Sequence, residues 1–387
     1  MATYSTDLLR GMERVIGIPS VSSTLPRLDM SNKPIVDHLA NEFEALGFAC
    51  ELVPCENDKW NLIATLGQGP GGLVLAGHTD TVPCDEDLWT LDPFTLSERD
   101  NRLYGLGVTD MKGFFPLIME ALKPLLDQPF REPLIVLATC DEETSMQGAR
   151  MIAELGRPRA RSAVIGEPTG LKPVRAHKGI MMDAIRLKGR SGHSSDPGLG
   201  NNALDAMHEV IAELLRYREE LKQRFRSELF TIPWPTLNLG SIHGGDNPNR
   251  ICGHCELEFD VRLTPGMHID TVRAEIEQRV RSVTEPRGIA FERATLFHGV
   301  PAFFAEENSA LLRTVEALTG HEGISVAFGT EGPYLQQLGM DTIILGPGNI
   351  DQAHQPDEYM ALDMLEPCVN LLRQLITRHC LEGSGDE

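Results

Sequence analysis

No stretch of the chain is apolar for the roughly 18 or more positions a membrane-spanning helix needs. No run of Lys and Arg occurs either. The balance is acidic, with 56 Asp and Glu against 35 Lys and Arg and a formal net charge of −21. Such a surface repels polyanions, which argues against nucleic-acid or anionic-membrane partners. The opening Met1-Ala2-Thr3-Tyr4-Ser5-Thr6-Asp7 lacks a charged segment followed by an apolar one, so it does not read as a signal peptide. The expectation is a cytoplasmic protein whose 8 cysteines stay reduced. Cys252-Gly253-His254-Cys255 has no second cysteine pair to complete a zinc site and runs into the strand-like Leu257-Glu258-Phe259, so it reads as strand cysteines. Internal repeats are absent, and low complexity is confined to the Gly/acid tail Glu382–Glu387.

What the chain does have is a 41% hydrophobic composition over 387 residues, enough for a core and for roughly two domains. It also has short motifs rich in metal-binding residue types: Gly77-His78-Thr79-Asp80, Thr109-Asp110-Met111-Lys112-Gly113, Asp141-Glu142-Glu143-Thr144, Gly166-Glu167-Pro168 and Ala353-His354-Gln355-Pro356-Asp357-Glu358. Taken singly, each is ordinary surface chemistry. Their placement is not ordinary. His78 follows the apolar run Leu73-Val74-Leu75-Ala76, and Asp141 to Glu143 follow Leu134-Ile135-Val136-Leu137-Ala138. Glu167 follows Ala163-Val164-Ile165, and His354 comes after Thr342-Ile343-Ile344-Leu345 and a Gly-Pro-Gly turn. Continuous apolar runs of this length predict buried strands of a largely parallel sheet, whose carboxyl ends carry sites in open α/β folds. Imidazoles and carboxylates gathered there suit zinc or a similar ion. The set is too large for one catalytic ion and fits a pair sharing a carboxylate, as used for hydrolysis.

The order of patterns predicts a discontinuous first domain, residues 1–180 and 297–387, of α/β class with a central mixed, mostly parallel sheet flanked by helices. Ile35, Leu39, Phe43 and Leu46 recur at helical spacing before Gly47, and a helix-like stretch covers Phe114–Leu126. Residues 181–296 read as an inserted α+β, βαββαβ (ferredoxin-like) satellite. In it a strand at Ala184–Leu187 is followed by a helix over Asn202–Phe225 and strands around Thr236–Leu239 and Cys255–Val261. A helix near Ile269–Val283 and a strand at Ile289–Arg293 complete the unit.

On these motifs the chain resembles the dinuclear zinc amidohydrolases that include aminoacylase, carboxypeptidase G and succinyl-diaminopimelate desuccinylase. Further stretches carry the resemblance along nearly the whole chain, among them Arg175-Ala176-His177-Lys178-Gly179, Ser191-Gly192-His193-Ser194-Ser195-Asp196-Pro197 and Asn249-Arg250-Ile251-Cys252. Gln352-Ala353-His354-Gln355-Pro356-Asp357-Glu358-Tyr359 is similar to the members that act on N2-acetylornithine, which implies hydrolysis of that small-molecule substrate in arginine biosynthesis. The resemblance implies that Asp110 bridges two divalent ions, zinc first and cobalt second, with His78 and Glu167 on one and Glu143 and His354 on the other. It implies Glu142 as general base, Asp80 holding the His78 ring through its remaining N–H, and His193 assisting the oxyanion. It further implies a cis peptide after Asp110 and a homodimer formed by the satellite. Arg262 is similar to an arginine that clamps a substrate carboxylate, and Asn249 is a second candidate for substrate hydrogen bonding. Gly329-Thr330-Glu331-Gly332-Pro333 lacks the arginine that desuccinylases carry near here, and Glu331 instead suits the side-chain ammonium of acetylornithine. An aminoacylase or dipeptidase of the same family with another substrate is the alternative, and a non-catalytic binding protein would require a missing ligand or base.

Overall fold

The apolar runs become adjacent strands because each is buried on both faces. In the computed structural model, which describes residues 5–382, Leu73–His78, Leu134–Thr139 and Ser162–Pro168 are buried at every position. The first four residues of the opening segment and the tail beyond Glu382 lie outside the described residues. The strand order in the first unit is Ala49–Pro54, Trp60–Leu66, Leu134–Thr139, Leu73–His78, Ser162–Pro168, Asp341–Gly346. The two outermost pairings on one side are antiparallel, and Leu73–His78 runs parallel to both of its neighbours. Asp341–Gly346 continues the parallel run beside Ser162–Pro168. The sheet is therefore mixed and mostly parallel, and the register pairs His78 with Thr139. That pairing brings the end of one strand beside the Asp141–Glu143 turn that follows the other.

Helices cover this sheet through apolar stripes. Lys33–Ala45 buries Ile35, Leu39 and Phe43, and Gly47, at φ 90°, takes the left-handed turn that ends it. The helix after Asp110 runs Phe114–Leu122, shorter than the pattern predicts. Pro124 supplies no N–H and tightens the last turn into a 3₁₀ segment, Lys123–Leu125. Leu365–Ile376 presents Leu365, Cys368, Leu372 and Leu375 to the core.

Chain contacts divide the molecule into two compact units. The first comprises residues 1–175, 305–324 and 330–387; the second comprises 176–304 and a short return at 325–329. The second unit is a four-stranded antiparallel sheet in the order Thr236–Gly244, His254–Leu263, Gly179–Lys188, Ala290–Val300. With helices Ala203–Arg224 and Ile269–Thr284 between strands, this is the ferredoxin-like βαββαβ order. Asn202 caps the first of these helices by accepting the N–H groups of Leu204 and Asp205. Met207, Val210, Leu214 and Ile276 meet Ile185, Leu257 and Phe259 in its core.

One charge sits inside that core. Asp183, fully buried, accepts two hydrogen bonds of 2.9 Å from the Arg273 guanidinium and one of 3.1 Å from Arg293. It ties the helix Ile269–Thr284 and the edge strand to the sheet. Removing one partner of a buried pair costs about 3–5 kcal/mol because the other is left uncompensated. For Asp183→Ala the expected result is a loss of about 3 kcal/mol, the lower end of that range because the arginines keep some access to water. Hydrogen exchange of the Gly179–Lys188 strand amides measures it.

Candidate metal centre

His78 is the last residue of its strand and is completely buried. Its Nδ1 lies 2.9 Å from the carbonyl oxygen of Asp80, so the ring N–H donates there and Nε2 points the other way. Nε2 lies 3.0 Å from Asp110 Oδ1. The other Asp110 oxygen faces His354, whose Nε2 is 3.6 Å from Oδ2. One carboxylate thus offers one oxygen to each of two imidazoles. His354 Nε2 also meets both Glu143 oxygens, at 3.0 and 2.9 Å. Ligand atoms of His78, Asp110 and Glu143 all lie within 4.8 Å of one another. The Asp110-Met111 peptide is cis, as the sequence resemblance implies.

The Asp80 carboxylate lies beside the His78 ring without accepting its N–H in this structure. Its Oδ1 is 3.7 Å from His78 Nδ1, and the main-chain carbonyl holds the ring instead. The side chain is turned to the next turn of chain, where its oxygens accept the backbone N–H groups of Glu142 (3.2 Å) and Glu143 (3.1 Å). Two consecutive N–H donors satisfy a carboxylate better than one ring N–H already taken by a carbonyl. Asp80 therefore hydrogen-bonds the Asp141–Glu143 turn through its side chain and His78 through its backbone, while its charge still acts on the ring.

That turn has further anchors the sequence does not announce. Asp141, at φ 54°, accepts from the Ser22 hydroxyl (2.9 Å) and pairs with Lys59 Nζ at 3.0 Å. Lys59 is 1% exposed and also donates to Asp29 and to the Met30 carbonyl. Asn61 accepts the Cys140 N–H and donates to the Gly148 carbonyl. The only local signal for Lys59 is a charged residue just ahead of an apolar strand.

Glu167 and Glu331 lie in the same buried environment, 4% and 1% exposed, and each has an Oε1 with no hydrogen-bond partner. Burial, then the charges of neighbouring carboxylates, hold Glu142 and Glu167 well above the ordinary carboxyl range. Burial and Asp110 raise Glu143. Burial pushes Glu331 up to about 7. Burial opposes charge on His78, yet the Asp110 hydrogen bond and the charges of Asp80 and Glu167 hold it well above its usual value. The Glu143 hydrogen bond, despite partial burial, lifts His354 to about 9. Buried acids with orphaned oxygens, converging on two imidazoles, are the donor set a divalent cation requires, so the residues present fit metal ions.

The remaining candidates belong to the second unit. His193 is exposed, its Nδ1 is 2.8 Å from the Ser195 hydroxyl, and it forms a backbone bridge with Arg250. The Asn249 carbonyl accepts the Ser194 N–H at 3.1 Å, so the His193 and Asn249 loops are held together within this unit. Arg262 pairs with Asp260 at 3.0 Å and lines a cavity of about 560 Å³ with Lys178, Thr236 and Ser325.

The sequence pattern of peptidase family M20/M25/M40 matches residues 74–378. The chain belongs to that family. It is 47% identical over 368 residues to the acetylornithine deacetylase of Klebsiella pneumoniae (strain 342), covering 95% of this chain and 96% of that one. Solved M20-family structures share the fold. A metallo-carboxypeptidase from Sulfolobus solfataricus matches with a TM-score of 0.73 at 19% identity, covering 96% of this chain and 99% of its own. A dinuclear metal-binding peptidase from Bacillus subtilis matches with a TM-score of 0.66 at 14% identity, over 96% and 97% of the two chains. This M20-family member is a metal-dependent hydrolase.

The raised values of His78 and His354 mean that the metal-free centre holds protons near pH 7 that a cation must displace. Metal affinity should therefore rise with pH across the neutral range. Calorimetric titration of the metal-free protein in buffers of different ionisation enthalpy should show net proton release. Uptake, or no buffer dependence, would contradict this.

Proposed function

We propose that the chain hydrolyses the N-acetyl amide of N2-acetyl-L-ornithine to L-ornithine and acetate, using two divalent ions, zinc first. The observation that carries the substrate is the 47% identity, over almost the full length of both chains, to the Klebsiella acetylornithine deacetylase. The geometry supports the chemistry. Asp110, with an oxygen toward each imidazole, would bridge the ions. His78 and Glu167 would complete one, and Glu143 and His354 the other. Bound there, the ions supply Lewis-acid polarisation of the acyl carbonyl and a water acidic enough to be deprotonated near neutrality.

Glu142 is the base in this reading. It adjoins the ligand Glu143 on a turn whose backbone N–H groups are fixed by Asp80, so the base is presented beside the centre without being a ligand. A carboxyl held above its normal range is suited to take a proton from the attacking water and return it to the leaving amine. Glu331, with an orphaned buried oxygen, is the candidate partner for the ornithine ammonium. The same reading assigns the oxyanion to His193, a substrate hydrogen bond to Asn249 and carboxylate recognition to Arg262. It places the protein in the cytoplasm, in arginine biosynthesis and as a homodimer. No helix among the described residues is long and apolar enough to cross a membrane.

Ornithine release from N2-acetylornithine, compared with N-acetylmethionine, N-succinyl-diaminopimelate and a dipeptide, tests the assignment. The expected result is a clear preference for acetylornithine, abolished by chelator; preference for another amide would move the substrate and leave the centre. For Glu142→Ala, turnover should fall roughly 10²–10⁴-fold with metal content intact. Lost metal with retained rate would exchange the roles of Glu142 and Glu143. For Glu331→Gln, the preference for acetylornithine over neutral acetyl-amino acids should shrink, and an unchanged ratio would rule out the ammonium role.

A further inference from the structure

The motif that delivers His354 ends on an acid that joins neither imidazole. Glu358 is 1% exposed, and backbone donors meet both of its oxygens. Oε1 accepts the N–H of Thr109 at 2.8 Å and that of Asp110 at 3.0 Å. Oε2 accepts the N–H of Gly107 at 3.0 Å. The main chain around it reinforces the contact. The Gly105 N–H donates to the Glu358 carbonyl at 3.1 Å, and the Thr109 hydroxyl donates to the Tyr359 carbonyl at 2.7 Å. Tyr359, Met360 and Ala361 then pair antiparallel with Tyr104, Leu103 and Arg102.

We propose that Glu358 is the positioning residue that fixes Asp110 between the two imidazoles, by clamping the backbone of the Gly107–Asp110 loop. This rests on the reading of Asp110 as a bridging ligand. A bridging carboxylate must offer one oxygen in each of two directions, which leaves little tolerance for rotation of its own backbone. The Asp110 N–H is bound to Glu358 directly, and the preceding N–H converges on the same oxygen, so the two successive peptide planes leading into Asp110 are both held. Successive N–H groups aimed at one carboxylate oxygen form an anion nest, and here the nest is filled by a side chain of the same chain. The clamp also links the two ligand segments. His354 lies in the segment that supplies Glu358, and Asp110 lies in the loop that Glu358 grips, so this side chain ties the two ligand segments together where they meet. Nearby, the His354 and Asp357 backbones take left-handed bends at φ 60° and 55°, and Asp357 accepts the Thr90 N–H and hydroxyl, each at 2.8 Å. Those bonds anchor the segment from its outer side without touching the Asp110 loop.

Glutamine at this position keeps the volume and offers one acceptor oxygen, leaving an N–H group facing the Gly107 N–H. Groups that orient metal ligands typically contribute roughly 10–100-fold in affinity. In E358Q, zinc affinity of the metal-free protein, measured against a competing chelator, should therefore fall by roughly that factor. The visible absorption of the cobalt-loaded protein should change, and kcat should fall at saturating metal with little change in KM. D357N, which loosens the outer anchor alone, should keep parental zinc affinity. Unchanged affinity and cobalt spectrum in E358Q would overturn the proposal, as would an equal loss in D357N. D110A separates the two readings: parental affinity there would remove Asp110 as a ligand, whereas lost affinity in D110A with parental affinity in E358Q would remove only the clamp. Should E358Q not fold, hydrogen exchange in the unmodified metal-free protein decides. The amides of Gly107, Thr109 and Asp110 should be protected, and exchange at the rate of an open loop would overturn the proposal.

Discussion

Negative charge buried against negative charge is the constraint on which the first unit is built. Asp80, Asp110, Glu142, Glu143, Glu167 and Glu331 share a region in which most are nearly out of water, with the imidazoles of His78 and His354 among them. Two like charges 4 Å apart repel by about 4 kcal/mol at the effective dielectric of a protein pocket. Several such pairs would exceed the whole stability of a typical domain, so protons or cations must neutralise the cluster. The raised values of Glu142, Glu143 and Glu167, caused by burial and neighbouring carboxylates, favour protons as one form of that neutralisation. Divalent ions are the other form, and the two compete for the same oxygens. A parallel sheet tolerates the arrangement because its strands are satisfied by their own ladders and present only their carboxyl ends to the cluster.

Holding such a cluster in shape requires donors that do not fill the site. The chain supplies them mainly from its backbone and from cations set behind the turns. Asp80 takes the N–H groups of Glu142 and Glu143, and Lys59 pairs with Asp141 from beneath. Lys112, fully buried, donates to the Ile18 carbonyl at 3.0 Å, and burial pulls its ammonium down to about 7 against the opposing charge of Glu358. Gly107 allows this packing: at φ 83°, a Cβ there would lie 2.7 Å from the Lys112 side chain. None of these cations reaches the oxygens that face the imidazoles. Positive charge is spent on the frame, and the centre is left for ions that must come from solution.

What the sequence made legible follows from the range of each interaction. Apolar runs of Leu, Ile, Val and Ala announce buried strands, and the acids after them announce where those strands end, because both signals lie within a few neighbouring residues. The same local logic marks a helix over Asn202–Phe225 and the alternating second unit as α+β. The expected helix Phe114–Leu126 overran because its apolar pattern continues past Pro124, where a missing N–H ends regular hydrogen bonding. The hydrogen bonds of the Asp80 side chain are not legible for a different reason. In a His-Thr-Asp segment both the carbonyl and the carboxylate of Asp80 can reach a ring N–H, and the choice depends on the distant turn at Glu142. Ser22, Lys59, Asn61 and Glu358 act on residues far along the chain, and such pairings have no periodicity to read.

Hydrogen-bond satisfaction sorts the acids in a way residue type cannot. Asp80 and Glu358 spend their oxygens on backbone N–H groups. A carboxylate so engaged has exchanged its capacity to bind ligands for fixed geometry, and its place is in the frame. Glu167 and Glu331 are equally buried and each keep an oxygen without a partner. Leaving a buried oxygen unpaired costs about 1–3 kcal/mol, more for a charged one, and a folded chain accepts that cost where something else supplies the missing partner. For Glu167, beside Asp110 and His78, the partner that fits is a cation at the centre. Glu331, near Thr139, His78 and Asp80, carries the same deficit. The distinction between frame and chemistry is thus carried by which oxygens the protein has already satisfied, and it separates acids that lie side by side in one pocket.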